Sequence, residues 1–397
     1  MSNAVLRKEA FDLPEGVIYL DGNSLGPLPR GAEARVAEAM RAEWGGQLIR
    51  AWNDAGWMDL PRRVGDRIAR LIGAPEGSVA TGDTLSIKVY QALAAGLAMR
   101  PERRVILSDA GNFPSDLYMA QGLIGTVGKG HELRTPAPED VLPAITEEVA
   151  VVMLTEVDYR TGRRHDMAAI TERAQAAGAV MIWDLAHSAG ALPVEIAASG
   201  AEFAVGCTYK YLNGGPGAPA FIYVRPDLIE DVRPALAGWL GHDAPFAMER
   251  DYRPAMSTER MRVGTPPILQ LVALDAALDV WEGVNMGALR RASIDLSETF
   301  IREVEARAPA LRLASPRDPD QRGSQVSFAF QEGYAAMQAV IDRGVIGDFR
   351  APDIMRFGFT PLYVDVADVT RAAVIVGEVI GSEAYRDPKY RVRSRVT

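Results

Sequence analysis

The sequence predicts an α/β protein in which a large domain with a mostly parallel sheet is followed by a smaller α+β domain. Short β-branched runs alternate with helical patterns through the middle of the chain, which is typical of parallel strands joined by crossover helices. After about residue 266 the pattern changes to two long helical stretches followed by short strands. With 397 residues, 48% of them hydrophobic, the chain is long enough for two or three domains and a large core.

The predicted elements follow in chain order. Strands of the large domain are expected at 103–109, 147–157, 178–186, 202–210 and 219–225. Two intervening stretches, SDLYMAQGL and DMAAITERAQAAG, carry apolar residues at helical spacing. Long helices are predicted within 266–284 and 287–308, and strands at 324–330 and 353–359 enclose a further helix. We divide the chain into an N-terminal segment (1–60) that contributes to the small domain and to active-site loops, a large domain (61–270) and a small domain (271–397).

Composition narrows the class of partner. The net charge of −9 provides no basic face for a phosphate backbone, so a nucleic-acid partner is disfavoured and small-molecule chemistry fits better. No apolar run approaches the roughly 20 residues that span a bilayer, and the N-terminus has no apolar signal core, so we expect a cytoplasmic protein without a membrane partner. The single cysteine, Cys207, excludes an internal disulfide, and the four histidines lack metal-ligand spacing, so no metal site is expected. The basic tail at 385–397 is interpreted as a solvated terminus.

Clusters of polar residues follow four of the predicted strands. They are DAGNFPSD, TEVDYRTG, WDLAHS and TYKY, in chain order. Because an open α/β sheet binds its ligands at the carboxyl ends of the strands, we expect these clusters to share one rim.

Asp184 and Lys210 suggest the chemistry of that rim. A carboxylate at the end of a buried strand is costly without a cationic partner, and a structural salt bridge is the ordinary explanation for an isolated one. Lys210, however, ends the next predicted strand, between two tyrosines and just before the glycine-rich GGPG at 214–217. Pyridoxal phosphate needs a lysine for its Schiff base and an anion that keeps its ring nitrogen protonated. The pair therefore predicts this cofactor.

Several nearby side chains allow two interpretations each. Tyr209 and Tyr211 are either packing aromatics or part of the site. His187 is either a core histidine or lies against a planar ring. Thr84 and Ser86 begin an apolar helical pattern, where they are either an ordinary N-cap or the holders of a phosphate.

The same holds for the residues that could bind a substrate. Arg356 lies in an alternating strand of the small domain and forms either an ion pair or a clamp on the carboxylate of an amino acid. Trp52, Trp57 and Trp239 lie in loops, where they either line an aromatic pocket or cover the core.

Taken together, these motifs resemble the kynureninases, which belong to the fold-type-I pyridoxal-phosphate enzymes. The similarity covers nearly the whole chain. It is carried by YLDGNSLGPLP (19–29), NFPSD (112–116), DLAHSAG (184–190), TYKYLNGGPG (208–217), GWLGH (238–242), GTPPIL (264–269) and RFGFTPLY (356–363).

The resemblance implies a role for each site residue. Lys210 would form the Schiff base with pyridoxal 5'-phosphate, Asp184 would pair with the ring nitrogen, and Tyr209 would act as an acid or base. The cofactor's further contacts would be Phe113, which stacks on the ring, with Asp116, Thr155, His187, Leu85, Ser86, Tyr209, Trp239 and Thr265. Trp239 and Thr265 would reach in from the second subunit of a homodimer with shared sites, although many relatives have asparagine in place of Thr265. The implied substrate-binding residues are Arg356 for the carboxylate, with Asn23, Trp52 and His242.

The implied reaction is hydrolysis of L-kynurenine to anthranilate and L-alanine in tryptophan catabolism, with 3-hydroxy-L-kynurenine as a second candidate substrate. The alternative is an aminotransferase of class V acting on a small amino acid, because such an enzyme uses an aspartate and a lysine in the same two roles. A cysteine desulfurase needs a cysteine on a mobile loop, whereas Cys207 lies in a predicted strand. A scaffold protein without catalysis is disfavoured, because it would need none of Lys210, Asp184 and Arg356.

Overall fold

The computed structural model describes residues 5–393 and contains a large and a small sheet. The strands are Phe11–Asp12 (β1), Ile18–Tyr19 (β2), Leu28–Pro29 (β3), Val79–Thr81 (β4), Val105–Leu107 (β5), Glu132–Arg134 (β6), Val149–Thr155 (β7), Val180–Asp184 (β8), Phe203–Gly206 (β9), Phe221–Val224 (β10), Arg312–Leu313 (β11), Gln325–Ala329 (β12), Val345–Ile346 (β13), Asp348–Arg350 (β14) and Ile354–Gly358 (β15).

The α-helices surround these sheets. They are Ala32–Glu38 (α1), Ala51–Asp54 (α2), Leu60–Leu71 (α3), Leu85–Met99 (α4), Pro114–Val127 (α5), Val141–Ala144 (α6), Met167–Ala176 (α7), Ile196–Ser199 (α8), Ile268–Ala277 (α9), Met286–Arg307 (α10), Gly333–Ile341 (α11) and Val366–Gly381 (α12). The predicted crossover helices correspond to α5 and α7, and the two long helical stretches correspond to α9 and α10.

The large sheet has seven strands in the order β4-β10-β9-β8-β7-β5-β6. Neighbouring strands from β9 to β6 run parallel, as predicted. The prediction was wrong for β10, which is antiparallel to both of its neighbours. Residues 207–220, which connect β9 to β10, contain no helix, so the chain turns back instead of crossing over the sheet. Because β4 and β9 are both antiparallel to β10, their carboxyl ends lie at the same rim.

Helices cover both faces of the large sheet. In β8, Val180 and Ile182 join the hydrophobic cluster that contains α4, while Met181 and Trp183 join the cluster that contains α7. All five residues of β8 are buried. A strand buried on both faces reads as a continuous apolar run, which is why the sequence identified it. Its last residue, Asp184, therefore places a carboxylate at the end of a strand that is covered by hydrophobic side chains on both faces.

The small domain is built on an antiparallel sheet with the order β11-β12-β15-β14. Two long helices, α10 and α12, pack against each other beside it. The N-terminal part of the chain reaches this domain through β2, which pairs in parallel with β13. The domain boundaries given above stay a prediction.

The C-terminal tail differs from its predicted solvated state. Tyr385 and Tyr390 are buried, and the Tyr390 hydroxyl donates to Asp342 at 2.7 Å. Residues 394–397 lie outside the described part of the chain. Between residues 5 and 393, no helix combines the length and apolarity that crossing a membrane requires.

We predict that Phe300→Ala destabilises the small domain. Phe300 is fully buried, and its ring centroid lies 4.9 Å from that of Phe357 and 5.3 Å from that of Phe359. Truncation of such a ring leaves a cavity and costs about 3–5 kcal/mol of unfolding free energy. Urea-induced unfolding followed by circular dichroism measures this loss. The exposed Arg302→Ala serves as the control on the same helix, and equal midpoints for the two variants would refute the prediction.

Candidate active site

The four polar clusters of the sequence meet at one rim of the large sheet. The strands that precede them end at Leu107, Thr155, Asp184 and Gly206, and all four run parallel. The carboxyl end of β4 lies at the same rim and leads into α4, which begins at Leu85. Strand β4 was not predicted, because three residues are too few for a recognisable alternation.

Asp184 is buried and held by its neighbours on adjacent elements. Its Oδ1 accepts a hydrogen bond from the Ala186 amide at 2.8 Å. The Thr155 hydroxyl, directly opposite in β7, lies 3.4 Å from Oδ2 of Asp184 and donates to Oδ1 of Asn112 at 2.5 Å. Asn112 also donates to the Ser108 hydroxyl at 2.9 Å. These contacts fix the direction of the Asp184 carboxylate.

A second carboxyl group, Asp116, lies beside Asp184. It is fully buried, and its Oδ2 has no hydrogen-bond partner among residues 5–393. Burial, and then the charge of Asp184, raises the pKa of Asp116 well above its usual range. Burial also raises the pKa of Asp184, but Lys210 and the Ala186 amide oppose that shift. Of the two carboxyl groups, Asp116 is therefore the one more readily protonated.

Lys210 lies in the turn after β9, next to aromatic rings. Its Nζ is 6.0 Å from the ring centroid of Phe113 and 5.8 Å from that of Tyr209. The Phe113 side chain is 42% exposed and meets the Tyr159 ring edge-on at 5.1 Å. A flat aromatic face at the rim is thus open beside the lysine.

Glycines shape the backbone around Lys210. The amide of Gly26, in the DGNSLG motif, donates to the Tyr209 carbonyl at 2.8 Å, and a Cβ at Gly26 would lie 2.4 Å from the Lys210 carbonyl oxygen. Gly215 and Gly217 have φ values of 86° and 74°, which L-residues with a side chain rarely adopt. The motif at 21–26 and the GGPG segment therefore need glycine for close approach and for turning.

Tyr209 and Cys207 are neutral at physiological pH. The Cys207 sulfur and then burial raise the pKa of Tyr209 above its ordinary value. Burial raises the pKa of the Cys207 thiol, which is 3% exposed. Tyr209 is therefore a hydrogen-bond donor at the rim, and Cys207 is not a thiolate nucleophile.

The start of α4 has the features of an anion site. Thr84 occupies the N-cap position with extended backbone but makes no capping hydrogen bond through its side chain. The first-turn amides, including those of Leu85 and Ser86, are thus left without a side-chain cap. Ser86 is half-buried. Free amides and a hydroxyl at a helix N-terminus suit a phosphate group.

Arg356 forms a buried ion pair in the small domain. It lies directly opposite Asp348 in the β14–β15 hairpin, and its Nε donates to Asp348 Oδ1 at 2.6 Å. Its Nη1 donates to the Tyr159 carbonyl, which links it to the Phe113 side of the rim. Asn23 is fully buried beside Gly358, and neither polar atom of its side chain has a partner among the described residues. Such orphaned groups point to a missing ligand.

Four predicted site residues lie apart from this cluster. The Trp52 ring meets that of Trp57 edge-on at 5.7 Å, and Trp239 donates to the Pro245 carbonyl at 2.6 Å. His242 accepts from an amide of its own loop, and Thr265 is exposed. Within residues 5–393, no hydrogen bond or ring contact joins these four to the residues around Lys210.

Sequence reasoning assigned no role to several residues that the structure places at the site. They are Asp21, Ser24, Asn112, Tyr159, Asp348 and Arg350. Asp348 was recoverable in principle, since GDFRAPDIMRF carries a turn between two short runs and would pair position 348 with 356. Asp21 gave no such signal. Burial and the charge of Asp348 raise the pKa of Asp21 to about 7.

Known proteins with the same fold confirm the predicted architecture. The apo structure of a cysteine desulfurase from Thermococcus onnurineus NA1 matches with a TM-score of 0.79 and 18% identity, over 94% of this chain and 97% of that one. A variant of C-DES with glycine covalently linked to its pyridoxal-phosphate cofactor matches with a TM-score of 0.81 and 16% identity, over 94% and 99%. At these identities the likeness shows the fold alone.

Sequence relatives show the family. The family model described as the kynureninase C-terminal domain matches residues 289–376. Kynureninase from Pseudomonas fluorescens is 50% identical over 403 residues, which cover 100% of this chain and 97% of that protein. Kynureninase from Burkholderia pseudomallei (strain 1106a) is 50% identical over 397 residues, covering 98% and 95%. Since this identity extends along the full chain and agrees with the motifs of the sequence, the protein belongs to the kynureninase family.

Proposed function

We propose that this protein binds pyridoxal phosphate and hydrolyses L-kynurenine between Cβ and Cγ to anthranilate and L-alanine, with 3-hydroxy-L-kynurenine as a second substrate. The observation that carries the proposal is the meeting of Lys210 with the buried Asp184 at one rim, beside the open ring of Phe113. Relatives named kynureninase at 50% identity support the substrate class.

The residues at the rim fit pyridoxal phosphate. Lys210 would hold it through its amine, Asp184 would face its ring nitrogen, and the Phe113 ring would cover one face. Two buried atoms, Asp116 Oδ2 and His187 Nδ1, have no hydrogen-bond partner among the described residues. A polar ring bound between them would supply such partners. The amides at the start of α4 would receive the phosphate. When bound, the cofactor acts as an electron sink for the bonds at the substrate's Cα.

The chain's own residues then supply positioning and proton transfer. Lys210, at the rim, is the base that takes the proton from the substrate's Cα. Tyr209 is a neutral phenol next to it and donates a proton where charge develops. Water adds to the γ-carbonyl, the Cβ–Cγ bond breaks, and the ring fragment leaves as anthranilate. One proton is then delivered to Cβ, and the proton that Lys210 took is returned to Cα, which completes L-alanine. Asp184 remains an anion throughout, because Asp116 holds the shared proton.

Arg356 would bind the substrate's α-carboxylate. It is 2% exposed and already oriented by Asp348, so little side-chain entropy is lost on binding. Asn23 lies beside the same strand with both polar atoms unpaired. These residues approach the rim from the small-domain side, since Arg356 donates to the Tyr159 carbonyl.

A homodimer with shared sites is the second part of the proposal. Trp239 is 45% exposed and Thr265 is exposed, and both belong to one segment that is joined by the hydrogen bond from the Leu240 amide to the Val263 carbonyl. Exposed aromatic side chains favour a contact with another subunit. Trp239 and Thr265 would then complete the phosphate site of the partner.

Desulfurase chemistry is disfavoured despite the shared fold. Cys207 is buried beside β9, three residues before Lys210, and its thiol is protonated. A sulfur nucleophile must be exposed and ionised to attack a substrate.

Product analysis tests the reaction. The purified yellow protein is mixed with L-kynurenine, and anthranilate fluorescence and alanine are measured together. We expect equal amounts of the two products, and none with Lys210→Ala. Conversion of the cofactor to its pyridoxamine form without anthranilate would make the protein an aminotransferase instead.

The two buried carboxyl groups are predicted to differ in function. Asp184→Asn removes the anion and is expected to lower kcat/KM by roughly 10²–10³-fold. Asp116→Asn replaces a protonated acid with an isosteric neutral group, so the loss is expected to be much smaller. Steady-state kinetics with L-kynurenine compare the two variants after saturation with cofactor. Equal losses would contradict the assignment of the proton to Asp116.

Subunit complementation tests the shared site. Lys210→Ala and Trp239→Ala protein are mixed, unfolded and refolded together. If Trp239 serves the partner's site, random pairing makes about a quarter of all sites fully wild type, and activity returns. A mixture of Lys210→Ala with Asp184→Asn is the control, since both residues belong to one chain's rim and no site is restored. If the first mixture recovers no more activity than the control mixture, the shared site is refuted.

A further inference from the structure

The β14–β15 hairpin carries two arginines around one carboxylate. Arg350 is two residues after Asp348 in β14, so both side chains leave the same face of the strand. Oδ2 of Asp348 lies 2.8 Å from Nη2 of Arg350 and also accepts from Arg356 and from the Ser24 hydroxyl. Asp348 is 1% exposed, and it connects the two guanidinium groups.

Arg356 has few donors left for a substrate. A guanidinium group has five N–H donors. Nε and Nη2 of Arg356 donate to Asp348, Nη2 also donates to the Ser24 hydroxyl, and Nη1 donates to the Tyr159 carbonyl. Four of its five N–H groups are therefore engaged. A bidentate grip on a carboxylate needs two free donors, so Arg356 alone does not provide one without rearrangement.

Arg350 has the donors that Arg356 lacks. Its side chain is 33% exposed, its Nη1 donates to the Phe349 carbonyl at 3.0 Å, and its Nη2 faces Asp348 and the Ser24 hydroxyl. Nε and the second hydrogen on Nη1 have no acceptor among residues 5–393. Arg350 thus presents unused donors beside the buried pair.

Contacts connect Arg350 to the rim. Asp348 contacts both Arg350 and Arg356, and Arg356 donates to the Tyr159 carbonyl. The pKa of the buried His187 is lowered by burial and then by Lys210, Arg356 and Arg350 together. Tyr159, whose ring meets that of Phe113, acts electrostatically on Arg350. All three cations therefore act on the same buried imidazole.

We propose that Arg350 is a second substrate-binding residue, which shares the α-carboxylate with Arg356 while Asp348 holds both guanidinium groups. The proposal rests on the proposed function, since it assigns the carboxylate of that substrate. The charge balance supports it. Two arginines face one ionised Asp348, and the nearby Asp21, raised by burial to a pKa of about 7, is only partly ionised at neutral pH. The cluster therefore has surplus positive charge for an incoming anion.

Steady-state kinetics of Arg350→Gln test the proposal. We expect KM for L-kynurenine to rise about 10-fold with kcat nearly unchanged, because a charge-assisted contact made equally in the ground and transition states is lost. Arg350→Lys keeps the charge and should recover part of the loss. Arg343→Gln removes an exposed cation of the same domain and should behave as wild type. An unchanged KM in Arg350→Gln would overturn the proposal.

The carboxamide of L-kynurenine separates binding from structure. Wild type should have a higher kcat/KM for L-kynurenine than for its carboxamide. In Arg350→Gln the ratio of the two kcat/KM values should be about tenfold smaller. Equal weakening towards both substrates would show a general distortion and overturn the proposal. If wild type forms no anthranilate, the proposed function fails first. The affinities for L-alanine and L-alaninamide, measured by cofactor absorbance, then decide the role of Arg350. An equal loss of affinity for both ligands in Arg350→Gln overturns the proposal.

Discussion

The Asp184 carboxylate is the constraint on which the site depends. Burying an anion at the end of a strand that is covered on both faces is expensive unless its charge is compensated. The chain compensates it with the Ala186 amide, with the neighbouring Asp116 and with the cation of Lys210. These groups follow three different strands, since Ala186 comes after β8, Asp116 lies in the first turn of α5 after β5, and Lys210 lies in the turn after β9. The parallel topology therefore stabilises the buried anion, because it brings the compensating groups to the same rim. The buried anion in turn allows the rim to bind a cationic ring nitrogen.

The small domain solves the opposite electrostatic problem. Arg356 is a buried cation, and Asp348 is placed against it by the register of two antiparallel strands. Burial is the largest single influence and raises the pKa of Asp348. The hydrogen bond and charge of Arg356, together with Arg350 and the Ser24 hydroxyl, lower it by more, so the pKa of Asp348 lies below its ordinary value. The Tyr159 carbonyl, which accepts from Arg356, follows the large-domain strand β7. The anion of one domain and the cations of the other thus face a common space.

The sequence predicted what depends on local pattern and missed what depends on pairing. Strands β7, β8 and β9 were recognised because each is a continuous apolar run, and their parallel order brought Asp184 and Lys210 together as expected. The predicted direction of β10 was wrong. Its direction depends on whether a crossover helix precedes it, and residues 207–220 contain none. Asp348 and Arg350 were missed because their role depends on pairing across the β14–β15 hairpin, which the turn in GDFRAPDIMRF indicates but which the strand at 353–359 considered alone does not. The roles of Trp239 and Thr265 stay predictions, because a single chain does not test a contact between subunits.

His187 illustrates how these charges act together. Its imidazole is buried, and its pKa is lowered by burial first, then by Lys210, and then by Arg356 and Arg350. A protonated imidazole would add a further buried positive charge, so the ring stays neutral across the physiological pH range. A neutral planar ring with an unpaired Nδ1 can pack against another planar ring and still exchange a hydrogen bond at its edge. The cations that would bind the substrate therefore also keep His187 in the form that suits a ring cofactor.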